Sequence, residues 1–413
     1  MTWQHAGASH TAEWWSANDR PAPRRVIAVD DQLSADQAMR YAAQGVGMLW
    51  LGDYHNAKQL LKAIDRRADL QKRQSSSAKS QDPDVGAATQ AEQFYQIRQK
   101  RAQRSRLKSL LLVPLEFDTS AGEMVLPLPR APRVAQALEF AYGRPPADQT
   151  PSDLAAVSLQ ELIGAQSAHQ WFVQGVDVPA LGAKIHPYYG TFLPTRHEYV
   201  DLVANAPLAH HDVAFDIGTG TGVLAATLVK RGVRRVIGTD IHQRAVDCAN
   251  ENFTRLGMQE AAVAQLASMF PLGRASLIVC NPPWLPGNAK TSLDAAIYDP
   301  GSKMLLQFLD GLPHHLTDDG EGWRILSDLA ELLGLRTRQM LLDAIEKAGL
   351  EVIERYDTTP SHARARDTSD PLHAARSREV TSLWRLRSAR TSTPAKYSAN
   401  TTSTPAAAAG ATN

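Results

Sequence analysis

Asn281, Pro282, Pro283 and Trp284 set side by side an uncharged oxygen acceptor, two residues that lack a backbone N–H, and a flat aromatic ring. Proline fixes φ and removes a donor, and Pro282 also biases Asn281 away from the α region. The Asn281 side-chain oxygen and the Pro282 carbonyl can then accept the two N–H bonds of a planar amide or exocyclic NH₂ group. Asparagine accepts without carrying a charge that would trap a cation. The Trp284 ring suits a flat target, since stacking on an aromatic is worth about 1–3 kcal/mol for a nucleobase. Taken alone, Asn-Pro-Pro reads as the turn that ends a strand, because these are common turn residues.

Two further groups upstream could hold a ligand beside it. Gly218-Thr219-Gly220-Thr221-Gly222 follows a β-type run, Val213 to Ile217, and leads into an apolar helical segment, Val223 to Val229. Glycine lets the backbone turn tightly and approach a ligand, and the helix start offers unpaired N–H groups to an anion such as a carboxylate. A second run, Arg235 to Thr239, ends on Asp240 and Ile241. An acid at the tip of the second strand of a doubly wound sheet can accept both hydroxyls of a ribose. Asp216 has two readings, as an anchor of the glycine turn or as a contact for a ligand amino group. Asn281 itself ends a third buried-looking strand, Ser276 to Cys280. Ligands of open α/β sheets lie at the carboxyl ends of the strands, so the three pieces are expected to converge on one crevice. A nicotinamide dinucleotide fold needs glycine where this chain has Val223, which argues against that cofactor.

The ordered set of glycine turn, Asp240 and Asn-Pro-Pro-Trp resembles the class I S-adenosylmethionine (SAM) dependent methyltransferases of the small-domain N-methyltransferase group. That group includes release-factor glutamine methyltransferases and RNA and DNA amino-methyltransferases. The resemblance implies a doubly wound, mostly parallel, seven-stranded Rossmann-like sheet over residues 183–387, with SAM as cofactor. It implies catalytic roles for Asn281, Pro282, Pro283 and Trp284. Asp216, the turn from Gly218 to Gly222, Asp240, Ile241, Ser268, Met269 and Asn281 would contact the cofactor. The chain departs from the family at Ser268, where an acid usually meets the adenine amino group; Met269 or Phe270 would supply stacking instead. Ser276 stands where an aspartate is common before this motif, a departure taken as structural. Tyr189, Gly190, Phe192, Pro194, Thr195 and Arg196 occupy the stretch that, in the family, closes over the cofactor.

The acceptor implied is macromolecular. The order of elements after the catalytic motif resembles the glutamine methyltransferases and favours a protein glutamine; an RNA or DNA base is the alternative, and it would have to be unstacked to reach the pocket. A SAM-binding module without catalysis is the rival from another class, and the Ser268 departure is its only support.

Around this domain the sequence is less explicit. Lys and Arg total 44 against 43 Asp and Glu, so net charge supplies no global field for nucleic acid. The two cysteines fall inside expected helix and strand and read as buried free thiols. No metal-spaced cluster, signal pattern or run of about 18 apolar residues is seen, so no metal and no membrane are expected, and the cytoplasm is the default. Residues 1–182 read as a mainly helical accessory region, opening with loop to Arg25 and carrying a flexible connection over 75–89. Gln93 to Leu112 holds six Lys and Arg residues and no acid. It suits a nucleic-acid contact or a plain solvated face. Ser158 and Glu161 suggest a capping box. Residues 388–413, rich in Ser, Thr, Ala and Pro, are expected to be disordered.

Overall fold

The computed structural model describes residues 1–79, 89–143, 154–289, 291–360 and 363–389. The disordered-tail expectation lies, but for its first two residues, outside them, as does most of the 75–89 connection.

The chain opens with a hairpin, β1 (Thr2–His5) and β2 (Ala8–Thr11). A six-stranded sheet follows, from β3 (Glu13–Trp15), β4 (Arg25–Val29), β5 (Val46–Trp50), β6 (Leu111–Asp118), β7 (Glu123–Val125) and β8 (Leu154–Ser158). Its order is β3-β8-β6-β5-β4, with β7 paired to β6. Five helices accompany it: α1 (Ala35–Ala43), α2 (Tyr54–Lys79), α3 (Gln90–Lys108), α4 (Ala135–Tyr142) and α5 (Leu159–Gln174). This half is therefore α/β as well, with more strand than a mainly helical region allows. Most of these strands hide in the sequence because they are short, and because β5 is buried at every position and shows no alternation. Residues 75–79 continue α2, so the connection begins later than its composition suggests.

The capping box at α5 does not form. Ser158 makes no cap bond with another described residue. The Glu161 carboxylate is taken by Ser16 Oγ (3.1 Å), the Ala17 amide and Tyr142 OH (2.9 Å), which tie the exit of β3 to α5.

A small hairpin of β9 (Val176–Val178) and β10 (Ala183–Ile185) leads to α6 (Glu198–Asn205) and the second sheet. Its strands are β11 (Val213–Ile217), β12 (Arg235–Asp240), β13 (Ala262–Leu266), β14 (Ala275–Cys280), β15 (Leu316–Ser327), β16 (Leu350–Thr358) and β17 (Thr381–Ser388). The order is β13-β12-β11-β14-β15-β17-β16. The first five are parallel, and β17 runs antiparallel between β15 and β16. This is the seven-stranded, mostly parallel, doubly wound sheet that the resemblance implies.

Alternate residues of each central strand enter different cores. Ala214, Leu277, Val279 and Trp323 pack on one face, and Phe215, Ile217, Ile278 and Cys280 on the other. Period-two burial on both faces is what a parallel sheet needs when helices cover each side. One layer holds α6, α7 (Val223–Lys230) and α8 (Gln243–Arg255); the other holds α10 (Lys303–His315) and α12 (Arg338–Lys347), after a short α9 (Ser292–Ala295) and before which α11 (Leu329–Leu332) caps β15. Cys248 and Cys280 are free and buried. No helix among the described residues is long and apolar enough to cross a membrane.

Candidate active site

The carboxyl ends of β11, β12 and β14 point to one side of the sheet, and the chain is irregular at each. After β11 it turns through Gly218 (φ 72°), Gly220 (φ 55°) and Gly222 (φ 80°). A left-handed φ is costly for any residue with a Cβ, and three in five positions explain why glycine recurs here. At position 222 a Cβ would also lie 2.7 Å from the Phe253 ring, so that glycine seats the turn against α8. At position 220 nothing lies within 4 Å, because that Cα faces the open cleft.

Two acids hold this turn, one buried and one half-buried. Asp216 is almost fully buried, and its Oδ2 accepts from Thr219 Oγ1 (2.7 Å) and the Ala225 amide (3.1 Å). Burial raises its pKa to about 6, with the two hydrogen bonds opposing the rise. Of its two readings, this geometry supports the anchor. Asp240 accepts from the Gly220 amide (3.1 Å) through one oxygen and from the His242 amide (3.0 Å) through the other. A carboxylate has about four lone-pair sites, so two bonds leave capacity for hydroxyls.

The Asn-Pro-Pro-Trp segment leaves β14 next to this turn. Trp284 Nε1 donates to Asn281 Oδ1 at 2.8 Å. The Arg196 guanidinium lies 4.5 Å from the centre of the Trp284 ring and is held by Glu198 (2.5 Å) and Glu379 (3.1 Å). One face of the indole is thus covered by a cation. The Arg196 stack has no local signal in the sequence, since Trp284 and Glu379 lie far from Arg196 along the chain, whereas the Trp284 bond spans only three residues.

Asp216, Gly218, Thr219, Gly220 and Thr221 line the same cleft as Asp240 and Ile241. So do Ser268 and Met269, and so do Asn281, Pro282, Pro283 and Trp284. Gly222 sits behind the turn. Ile241 is 61% exposed, an apolar side chain at the rim beside Asp240. Phe270 is not at the cleft: its ring stacks on His315 at 4.4 Å and packs against Phe308, so it is unavailable for a cofactor ring. From the preceding loop, Tyr189, Gly190, Phe192, Thr195 and Arg196 reach the cleft.

The loop after Trp284 folds back on itself, with Leu285 bridged to Tyr298 and Asp299 capping the first amides of α10 at 3.0 and 3.1 Å. The N-terminal half closes the far side. Phe94 of α3 is buried among Leu285, Leu329 and Leu333, and Arg98 donates to the Asn288 carbonyl (2.7 Å) while stacking on Tyr298 at 3.5 Å. The cleft between the halves measures about 2440 Å³. Small-molecule sites usually occupy about 300–1,000 Å³, so this one has room for a cofactor and part of a large second ligand.

Residues 198–282 match the family model for ribosomal protein L11 methyltransferase (PrmA). Three relatives illustrate the range of similarity. A release factor glutamine methyltransferase of Vibrio cholerae is 31% identical over 156 residues, 34% of this chain and 54% of that protein. A ribosomal protein L11 methyltransferase of Geobacter sulfurreducens is 39% identical over 92 residues, covering 22% and 29%. A tRNA1(Val) (adenine(37)-N6)-methyltransferase of Shewanella sediminis is 28% identical over 112 residues, covering 25% and 46%. The chain spans about half or less of the length of each of these three. Residues 198–282 thus carry a PrmA-type methyltransferase domain, and relatives named for glutamine and adenine-N6 methylation are consistent with the small-domain N-methyltransferase class.

Proposed function

From a methyltransferase domain as premise, we propose that this protein transfers the methyl group of SAM to a planar NH₂ nitrogen held at Asn281. The observation that carries this reading is the meeting of the glycine turn, Asp240 and Asn281 on one cleft. The donor set fits the cofactor. Asp240 retains acceptor capacity for ribose hydroxyls, Gly220 lets the backbone come close, and Ile241 gives an apolar surface for the adenine beside Ser268 and Met269. Ser268 would offer the adenine amino group a neutral acceptor where an acid is usual in the family.

When bound, SAM supplies an already activated methyl on a sulfonium, so the task left to the protein is positioning. An amide or base amino nitrogen is a poor nucleophile because its lone pair is delocalised. Asn281 Oδ1 uses one lone pair for the Trp284 indole and keeps the other for an acceptor N–H. The Pro282 carbonyl takes the second N–H. Together they hold the nitrogen in line and favour the positive charge that develops on it. The proton becomes acidic after transfer and leaves to water, so no dedicated base is required.

The acceptor is the NH₂ of a macromolecule, either a protein glutamine or a nucleobase, since both offer the same planar group. The test is incubation of the full chain with radiolabelled SAM and cell extract, followed by protease or nuclease treatment. Label released by one of the two treatments supports the reading. Absence of transfer together with absence of calorimetric heat on adding SAM overturns it.

A further inference from the structure

Lys100 aside, the cations of α3 divide into three groups once their partners are traced. Arg104 bonds to Asp65 (2.5 Å) and Asp69 (2.7 Å) of α2, and Lys108 to Asp65 (3.1 Å), so these two brace the N-terminal half. Arg98 docks on the loop after Trp284. Arg101 and Arg106 are exposed, line the cleft, and make no ion pair among the described residues. Tyr95, 51% exposed, and Gln99 stand on the same side of the helix as Arg106, Gln99 lying four residues after Tyr95 and seven before Arg106, and both line the cleft. Arg20, bonded to Ser105, joins them from the loop after β3.

Both guanidiniums are in water and without an ion partner among the described residues, so their donors are available to a ligand of opposite charge. Their setting matters more than their number. They face, across one continuous cleft, the turn and the Asn281 segment on which the proposed activity rests, and the loop between them is pinned by Arg98 of the same helix.

We propose that the cleft-lining side chains of α3, with Arg20, form a binding wall for the sugar-phosphate backbone of a single-stranded nucleic acid whose target base enters the cleft toward Asn281. The inference rests on the methyl-transfer reading and names its acceptor class. Guanidiniums suit phosphate by paired N–H donation, and an exposed tyrosine gives a neighbouring base a surface to stack on. A single strand fits better than a duplex, because a base must be unstacked before its NH₂ can reach an interior pocket. A glutamine-bearing protein surface has no comparable need for a row of uncompensated arginines along the approach.

The test uses the full chain and a fluorescently labelled single-stranded RNA oligonucleotide, with anisotropy followed over a salt series. The R101A/R106A double variant is expected to bind about tenfold more weakly, and its log–log salt slope to be shallower by about 1.4, the loss of two single-strand phosphate contacts. A K62A/R66A variant removes equal charge from exposed positions of α2 and is expected to leave the slope unchanged. A duplex of the same sequence is expected to bind more weakly than the single strand. An unchanged slope in R101A/R106A, equal binding of the duplex, or methyl label that survives nuclease and is lost to protease overturns the inference. Calorimetric binding of SAM separates the two levels: heat retained while RNA binding fails leaves methyl transfer standing and removes only the α3 wall.

Discussion

The amide of Asn281 has two orientations, and the indole of Trp284 selects one of them. An indole N–H only donates, so it meets the oxygen end and holds it 2.8 Å away. On the proposed mechanism, Asn281→Ala lowers kcat by about 10²–10³, the range for one oriented polar group, while calorimetric affinity for SAM stays near wild type. Trp284→Phe keeps a ring beneath Arg196 but frees the amide, and the expected loss is about tenfold, one hydrogen bond's worth. A larger loss in the phenylalanine variant than in the alanine one would contradict this order. Asp216 makes a different prediction. Burial raises its carboxyl to about 6, so the folded state holds a proton that the unfolded chain releases near the ordinary carboxylate value. The resulting contribution to stability is complete below the unfolded pKa and is lost as pH rises through about 6. Asp216→Asn should flatten that part of the profile of Tm against pH; an identical slope in both proteins would sink it.

At the scale of elements, the edge of the second sheet depends on one arginine. Arg385 of β17 bonds Glu321 of β15 at 2.6 and 2.8 Å and Glu354 of β16 at 2.7 Å, so it ties the inserted strand to both neighbours. The Glu321 and Arg385 side chains are only 11% and 12% exposed. Arg385→Ala leaves Glu321 buried without its cation beside the Trp323 indole and should cost about 3 kcal/mol in denaturant unfolding; a loss below 1 kcal/mol would mean that the pair contributes little. The second sheet was legible in the sequence because Val213 to Ile217, Arg235 to Thr239 and Ser276 to Cys280 are each followed by residues with a mechanical reason to be there. The first sheet was much less so. Its strands are buried on both faces or are only three to five residues long, as in β3 and β8, and period-two patterning carries no information in either case. The α5 cap failed for a related reason: Glu161 had stronger suitors far away in sequence, at Ser16, Ala17 and Tyr142. At the site, residue types were readable one by one, whereas the covering of Trp284 by Arg196 and the burial of Phe270 against His315 depend on contacts between distant segments.

For the whole molecule, the joint between the halves is a small apolar cluster around Phe94, which is 2% exposed. Phe94→Ala should cost about 3 kcal/mol or more by leaving a void among Leu285, Leu329 and Leu333. It should also speed amide hydrogen exchange in residues 285–289 and 291–298 while leaving β11 and β12 protected. Equal protection of those residues in both proteins would show that the loop is held without α3. The position of β17 has a further consequence during synthesis. Thr381–Ser388 is the last strand described, yet it lies between β15 and β16. Until the ribosome has released that segment, β15 stands with a bare edge and β16 has nothing to pair with. The N-terminal sheet, already emerged, can fold first, with Phe94 and its neighbours waiting as an unfilled mould. A nascent chain stalled before residue 381 would thus expose sticky, half-built surface, and helpers that shield such surface should matter most in that interval.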